Sequence, residues 1–427
     1  MHRINELDLT IKGISKIEGH TDLEIKIKKD KVKEVKLKIS ENKRFYTQAI
    51  RGKPFNNVSQ IVSRICGTCS IAHQIACTLA IENACDFNAS NNTMLLRKLL
   101  LNGLMIRDHA MHLYLFVLPD LFEKESIFEL KDKWLKDAFS VKKAGNELCT
   151  LIGGRAIHPI NMNLGFFNKI PEKNEIKSVI NSLKTEREKV IALINLFNES
   201  SFSLNVNEEF VALVSKKLNF IEGELTSTAN ICIPKTTFFD YFERVIFPYS
   251  QATGFKLKGK PFIVGALARI NLNKNALNNE TTKEIKNALK NFPSQNIFLN
   301  NLAQAIEILH CIDESIELLE SNEFKEEKVE VKPKEKKGIA LIEAPRGTLY
   351  YLMELTKEGK IKEGNIVIPT QQNQVSMQLN IKKLVESLLE KGIKDKHLIQ
   401  HEIEKLIRAF DPCMSCASHF LKIKWKH

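Results

Sequence analysis

Four of the nine cysteines occur as two Cys-x-x-Cys pairs at opposite ends of the chain, and these residues are the best equipped for chemistry. The first pair lies in Arg64-Ile65-Cys66-Gly67-Thr68-Cys69-Ser70-Ile71-Ala72-His73. Two thiols three positions apart can converge on one centre where a loop enters a helix. Gly67 lets the backbone come close, and a helix N-terminus favours thiolate over thiol. His73, four residues past Cys69, shares that face of the helix. The second pair lies in Asp411-Pro412-Cys413-Met414-Ser415-Cys416-Ala417-Ser418-His419 and again has a histidine close behind it. Four converging thiolates suit a soft metal centre, and the residues alone leave a structural zinc site, an iron–sulfur site and other thiolate-bound metals open. Structural zinc modules usually keep their pairs within a few tens of residues, which these do not. Cys77, Cys85, Cys149, Cys232 and Cys311 are isolated and read most simply as small buried apolar residues. An odd count in a large chain without an export signal argues against a disulfide framework.

Elements able to position these pairs are visible in the patterning. The opening alternates apolar and polar residues through Leu7–Ile11, Leu23–Ile27 and Val32–Ile39, with turn residues between, which predicts a small antiparallel sheet. From Val58 the period becomes helical: Cys66–Ala84, then Met94–Val117 with Pro119 expected to end it. Further helices are expected over about Asn174–Phe197, Thr282–Lys290, Ile297–Ser321 and Ile381–Ala409. Gly153-Gly154-Arg155 and Asn163-Leu164-Gly165 mark an irregular loop. Residues 321–338 are rich in Lys and Glu and read as a charged surface excursion. Ile339–Glu343 then re-enters the core, and Ile361–Pro369 reads as a short β arm. The expected fold class is α+β and predominantly helical, a long-helix bundle core with a small N-terminal antiparallel β-sheet and short β arms. It forms one large unit over 1–419: mainly β over 1–40, mainly helical over 58–320, and a C-terminal part over 339–419.

A net charge of +12 raises nucleic acid or a membrane surface as partners. The lysines, however, are dispersed along amphipathic segments such as Lys26–Lys38, without interleaved stacking aromatics, so neither is expected. No uninterrupted apolar run approaches the length of a transmembrane helix, and Met1–Glu18 lacks the apolar core of a signal peptide. A cytoplasmic location is expected, with a partner the only route to a membrane.

The flanks of the two pairs carry a resemblance. Arg-x-Cys-Gly-x-Cys near the start and Asp-Pro-Cys-x-x-Cys-x-x-His at the end resemble the signature of nickel–iron hydrogenase large subunits. Glu18-Gly19-His20, Asp108-His109 with His112-Leu113-Tyr114, Gly153-Gly154-Arg155 with His158-Pro159, Glu343-Ala344-Pro345-Arg346-Gly347 and Pro369-Thr370 resemble further family segments in the same order. The resemblance implies reversible cleavage of dihydrogen at a nickel–iron centre whose iron carries carbon monoxide and cyanide. Cys66 and Cys413 would be terminal thiolates on nickel, and Cys69 and Cys416 would bridge the two metals. Arg346 would sit over the open site, held by Asp108 and Asp411. Thr370 and the backbone near Pro345 would hydrogen-bond a cyanide nitrogen. Glu18, on its residue type alone an exposed strand-end glutamate, would accept a proton from a nickel-bound cysteine. His73, His109 and His112 are expected to be hydrogen-bonded core histidines, and His158 a loop constraint.

Relatives also hold a structural magnesium ion with a glutamate where this chain has Thr47, a poorer ligand for a hard cation. The other ligands would be His419 and a carbonyl near Ile366, so magnesium is expected to be lost or rebuilt. Residues 420–427 fit a C-terminal extension removed by a dedicated endopeptidase after maturation proteins insert nickel. With no further cysteine cluster to relay electrons, an iron–sulfur small subunit is the implied partner. A hydrogen-sensing member with low turnover and a structural zinc protein remain the alternatives. The related quinone-site subunit of respiratory complex I lacks the four cysteines.

Overall fold

Alternation at the N-terminus produces the sheet it predicts. In the computed structural model, which describes residues 6–41 and 45–418, β1 (Glu6–Ile11), β2 (Thr21–Lys28) and β3 (Lys31–Ile39) pair antiparallel in chain order. Leu9 lies opposite Ile25 and Leu23 opposite Leu37, all four buried, while Lys26 and Lys28 face solvent. One face therefore belongs to the core and the other carries the charge. Arg44, His419 and the proposed extension 420–427 lie outside the described residues.

The body is a bundle of long helices. α1 (Ser70–Ala84) is apolar on nearly every side and buried along almost its whole length, as a helix at the centre of a large core must be. α2 (Asn91–Ala110) starts at Ser90, whose side chain accepts from the Thr93 amide at 3.0 Å. It does not stop where Pro119 predicts. Met111–Val117 continue as π-helical turns, and Pro119 opens a last helical turn, Leu118–Leu121, where its missing N–H costs nothing. α3 (Asp132–Gly153) packs along α2, and α4 (Lys173–Asn198) packs along α3.

Two small sheets interrupt the helices. β4 (Glu209–Val214), β5 (Glu224–Ser227), β6 (Cys232–Ile233) and, after the β7–β8 hairpin (Phe242–Ile246 and Thr253–Leu257), β9 (Phe262–Ile263) build one sheet in the order β6-β5-β4-β9 and one two-stranded ribbon. Their aromatic residues close a second, smaller core in which Phe238 stacks on Phe242 and Tyr350 at 4.2 and 4.5 Å. α5 (Ala266–Asn273) returns the chain to the bundle, and α6 (Leu299–Ser321) runs through its centre. The helix expected over Thr282–Lys290 is a correction: only Asn279–Glu284 and a short turn, Ala288–Asn291, are helical. The charged excursion 321–338 is pinned rather than loose. The Glu327 carboxylate accepts from Ser90 Oγ and Thr93 Oγ1 at 2.6 and 2.9 Å, placing negative charge at the N-terminus of α2.

The C-terminal part holds β10 (Lys337–Ala344), β11 (Gly347–Leu355) and β12 (Ile361–Val367), antiparallel in chain order. β10 and β11 join through a two-residue turn, Pro345-Arg346, with Ala344 opposite Gly347. The single helix expected over Ile381–Ala409 is two, α7 (Pro369–Glu390) and α8 (Lys396–Ala409). Gly392, at φ +78°, breaks them by taking the left-handed conformation that ends helices. The architecture is α+β and predominantly helical, and among the described residues no helix is long and apolar enough to cross a membrane.

β10 lies directly on α1, and Gly338 makes that approach possible. A Cβ there would collide with the Ala80 carbonyl and the Ala84 amide, both backbone atoms that cannot swing aside. Gly338→Ala is therefore expected to lower stability by about 1–3 kcal/mol, as overpacking does, read as a shift in the denaturant midpoint at unchanged slope.

Candidate metal centre

The two cysteine pairs meet. Cys69 occupies the position before the first turn of α1, and Cys66 precedes it in extended backbone. Cys413 precedes the helical turn Met414–Ala417, which carries Cys416. Backbone bonding ties this motif to the N-terminal end of the molecule: Glu18 and Cys413 form a parallel bridge, and the Met414 amide donates to the Glu18 carbonyl at 2.9 Å. The sulfurs of Cys66 and Cys413 are 3.5 Å apart, those of Cys69 and Cys416 3.0 Å, and those of Cys413 and Cys416 2.8 Å. All four sulfurs lie within 4.8 Å of one another, buried and not disulfide-bonded.

Left to themselves, the four thiols do not ionise together. Hydrogen bonds from Cys413, Cys416 and Cys69 pull Cys66 well below the usual thiol range. Burial pushes Cys413 and Cys416 well above it. One sulfur thus takes the negative charge that its neighbours stabilise, and removing the other protons requires a cation among them. Four soft donors around one point, shut off from water, are chemically suited to nickel and iron.

Glu18 borders this cluster on one side. Its Oε2 accepts from Cys413 Sγ at 2.9 Å and from the Ser415 amide at 3.2 Å, while Oε1 stands 3.8 Å from Cys66 Sγ. Burial, reinforced by negative charge on Cys66, raises its carboxyl above the ordinary glutamate value. It is half-buried and bonded to the site, not a freely exposed strand-end residue.

The β10–β11 turn borders the cluster on the other side. Arg346 is buried, its Nη1 donating to Asp108 Oδ2 at 2.8 Å and its Nη2 3.1 Å from Asp411 Oδ1. Asp411 Oδ2 also accepts from Gln304 Nε2 at 2.8 Å. Burial would discharge such groups, but the mutual attraction prevails: Arg346 is held well above its ordinary value by the carboxylates, and Asp411 below its own by Arg346. Arg346 Nε has no hydrogen-bond partner among the described residues. Between this turn and the sulfurs lies a cavity of about 20 Å³ bordered by Cys69, Cys416, Pro345, Arg346 and Thr370, room for one or two water-sized groups. Thr370, second residue of α7, accepts from the Cys413 amide at 2.9 Å through Oγ1 and keeps its own proton to donate. Gly347, at φ +124°, lets the turn sit this deep, since a Cβ there would lie 2.6 Å from Val264.

The histidines are core groups. His109 Nε2 is 2.9 Å from Glu307, and His112 reaches Gln304 at 2.6 Å and the Arg408 carbonyl at 2.9 Å. His73 bonds the Tyr351 hydroxyl at 2.7 Å, yet its Nε2 also lies 3.7 Å from Cys416 Sγ. His158, at φ +53°, constrains its loop through a 3.1 Å bond from its amide to Ser70 Oγ. Sequence reasoning overlooked two neighbours of Cys66. Thr68 Oγ1 is 3.0 Å from its sulfur, and Arg107 Nη2 donates to the Thr68 carbonyl at 2.5 Å. Their only sequence signal is adjacency to Cys69 and Asp108. Of the magnesium positions, Thr47 is half-buried and offers only a hydroxyl, and His419 lies outside the described residues.

The family model described as nickel-dependent hydrogenase matches residues 44–146 and 235–419, both cysteine motifs included. The chain belongs to the nickel-dependent hydrogenase large-subunit family. It is 32% identical to sulfhydrogenase 1 subunit alpha of Pyrococcus furiosus, over 98% of this chain and 99% of that one. It is 30% identical to sulfhydrogenase 2 subunit alpha of the same organism, over 96% and 98%. Its fold is that of an NAD+-reducing NiFe-hydrogenase in the H2-reduced state, with a TM-score of 0.86 at 23% identity over 98% of this chain and all of that one. It also matches the Ni-Fe-Se hydrogenase of D. vulgaris Hildenborough, with a TM-score of 0.76 at 21% identity over 97% and 100%. Hydrogenases are oxidoreductases, and in this hydrogenase subunit the four-cysteine cluster fits a nickel–iron centre. Serine at Cys66, Cys69, Cys413 or Cys416 is expected to cut nickel in the purified protein at least roughly tenfold, measured by elemental analysis. Cys232→Ser, at an exposed position, should leave nickel unchanged.

Proposed function

We propose that this chain is the catalytic subunit of a nickel–iron hydrogenase that reversibly splits dihydrogen into protons and electrons. The observation that carries the reading is the convergence of four sulfurs between a carboxyl on one side and a buried guanidinium on the other. Cys66 and Cys413 would hold nickel, and Cys69 and Cys416 would bridge it to an iron carrying carbon monoxide and cyanide. The bound metals would supply polarisation of dihydrogen and two-electron redox chemistry.

The protein's own groups do the rest. Glu18 takes a proton from Cys413 Sγ and, being half-buried, passes it outward. Arg346 holds a fixed positive charge over the open side, where dihydrogen is polarised, and Asp108 and Asp411 keep that guanidinium in place. Thr370, whose hydroxyl proton is left to donate, and the backbone near Pro345 would hold a cyanide ligand by hydrogen bonds. Burial keeps water from competing for the open position. The remaining five cysteines are scattered, so electrons leave through a partner, an iron–sulfur small subunit. The names of the two Pyrococcus furiosus relatives, both alpha subunits, support a multi-subunit enzyme. Maturation proteins would load the metals, an endopeptidase would trim the C-terminus, and the complex would work in the cytoplasm.

The test is infrared absorption together with metal content on the complex purified anaerobically with its partner. Carbon monoxide and cyanide bands with nickel and iron in equal amounts are expected, together with dihydrogen uptake. The same bands with negligible turnover would assign a hydrogen sensor, and zinc without bands would overturn the reading.

Glu18→Gln should lower turnover about 10²–10⁴-fold with nickel content unchanged. The pH profile carries the same signature. A carboxyl raised above 4.5 stays protonated further up the scale. Dihydrogen oxidation should therefore rise as pH increases through that elevated value, and Glu18→Gln should lose this limb.

A further inference from the structure

Arg269, on α5, is completely buried and uses all five of its N–H donors. Nε and Nη2 grip the two oxygens of Glu307 at 2.6 and 2.7 Å, and Nη1 reaches Glu343 Oε2 at 2.9 Å. The two remaining donors go to backbone: Nη1 to the Ala344 carbonyl at 3.0 Å and Nη2 to the Pro345 carbonyl at 2.9 Å. These are the two residues that lead into Arg346. Glu307 also lies 2.9 Å from His109 Nε2, and His109 follows Asp108, the partner of Arg346. The contacts close a ring from Arg346 through Asp108, His109, Glu307 and Arg269 back to Pro345.

We propose that Arg269, anchored by Glu307, is a positioning residue that sets the Arg346 guanidinium over the cysteine cluster. The inference rests on the reading of Arg346 given above and extends it to a residue that touches neither sulfur nor the cavity. A buried ion pair is poor value as a stabiliser, because apolar groups of equal volume usually do as well. A planar fork with fixed donor directions does what apolar packing cannot: it holds two adjacent carbonyls within hydrogen-bond tolerance. Glu307, held down at about 2 against burial by Arg269, keeps that anchor charged across the working pH range. The β10–β11 ladder ends at Ala344 and Gly347, so the turn between them has no strand neighbour to set its height. Arg269 supplies that restraint. A displacement of about 1 Å at such a site can cost 10²-fold in rate, which makes the restraint visible in turnover.

The test uses the complete, metal-loaded complex with Arg269→Lys, Arg346→Lys and the double variant. Arg269→Lys keeps the charge but cannot bond both carbonyls and both glutamates. It is expected to lower kcat about 10–10²-fold at unchanged KM for dihydrogen and unchanged nickel content. The double variant should be no slower than Arg346→Lys alone within about threefold, since both act through one guanidinium. Hydrogen exchange at the amides of residues 341–349 should quicken at least about tenfold in Arg269→Lys while residues 21–39 stay as in wild type. Losses that multiply in the double variant, or unchanged exchange at 341–349, would overturn the proposal. If Arg269→Lys fails to assemble, Glu307→Gln is judged by the same two readouts. Failure of the hydrogenase reading looks different: a wild-type complex that holds zinc without the infrared bands, or nickel with negligible dihydrogen turnover as in a sensor, in which exchange at 341–349 still decides the clamp.

Discussion

Ionised sulfurs repel, and this molecule gathers four thiols within 4.8 Å of one another where water cannot screen them. In an interior of low dielectric, like charges at such spacing cost several kcal/mol unless opposite charge stands among them. Without a cation only Cys66 ionises readily, steadied by hydrogen bonds from its neighbours. The full tetrathiolate therefore belongs to the metal-bound state, and deprotonation of the cluster is coupled to metal loading. That constraint accounts for the way the two ends of the chain are stitched. The Glu18–Cys413 bridge and the Met414 amide bond join the first sheet to the last motif through backbone, which no change of side-chain charge can undo.

Charge on the opposite side is arranged by a second device. Arg346 stands on a two-residue turn, an intrinsically mobile place, yet the proposed function needs it stationary beside the sulfurs. Two carboxylates from distant parts of the chain, Asp108 on α2 and Asp411 before the second cysteine pair, grip its tip. Gly347 lets the turn sink against Val264, and Gly338 lets the strand behind it rest on the backbone of α1, the helix that Cys69 begins. The turn and Cys69 are thus registered to the same helix.

The parts of this arrangement that rest on local pattern were legible in the sequence. Alternation gave β1 to β3, and the flanks of the cysteine pairs, with further segments in the same order that include Glu18 and Arg346, carried the family resemblance. What was not legible depends on contacts between segments hundreds of residues apart. Pro119 reads as a helix terminator because its ring forbids an interior position, and only the π-helical turns before it make room for one more turn. Ile381–Ala409 reads as one helix because Lys391-Gly392 leaves the apolar period nearly intact, while the positive φ of Gly392 cannot be read from periodicity. Thr68 and Arg107 escape notice because threonine and arginine are ordinary surface residues until a neighbouring fold buries them. The histidines were legible: they read as hydrogen-bonded core residues, and the partners of His109 and His112 on α6 and at Arg408 show that packing.

The two sides of the cluster differ in a way that bears on any chemistry separating charge. On the Glu18 side the carboxyl is raised in pKa, half-exposed and bonded to a thiol, so a proton arriving on sulfur has a mobile acceptor with access to solvent. On the Arg346 side the guanidinium and Asp411 are buried and hold each other in the charged form: Arg346 held up, Asp411 held down. A group locked in one protonation state can orient and polarise but cannot relay. Under the proposed function the proton leaves on the Glu18 side, and the guanidinium orients and polarises. That asymmetry is what heterolytic cleavage of a non-polar molecule requires, because the two fragments must leave in different directions before they recombine.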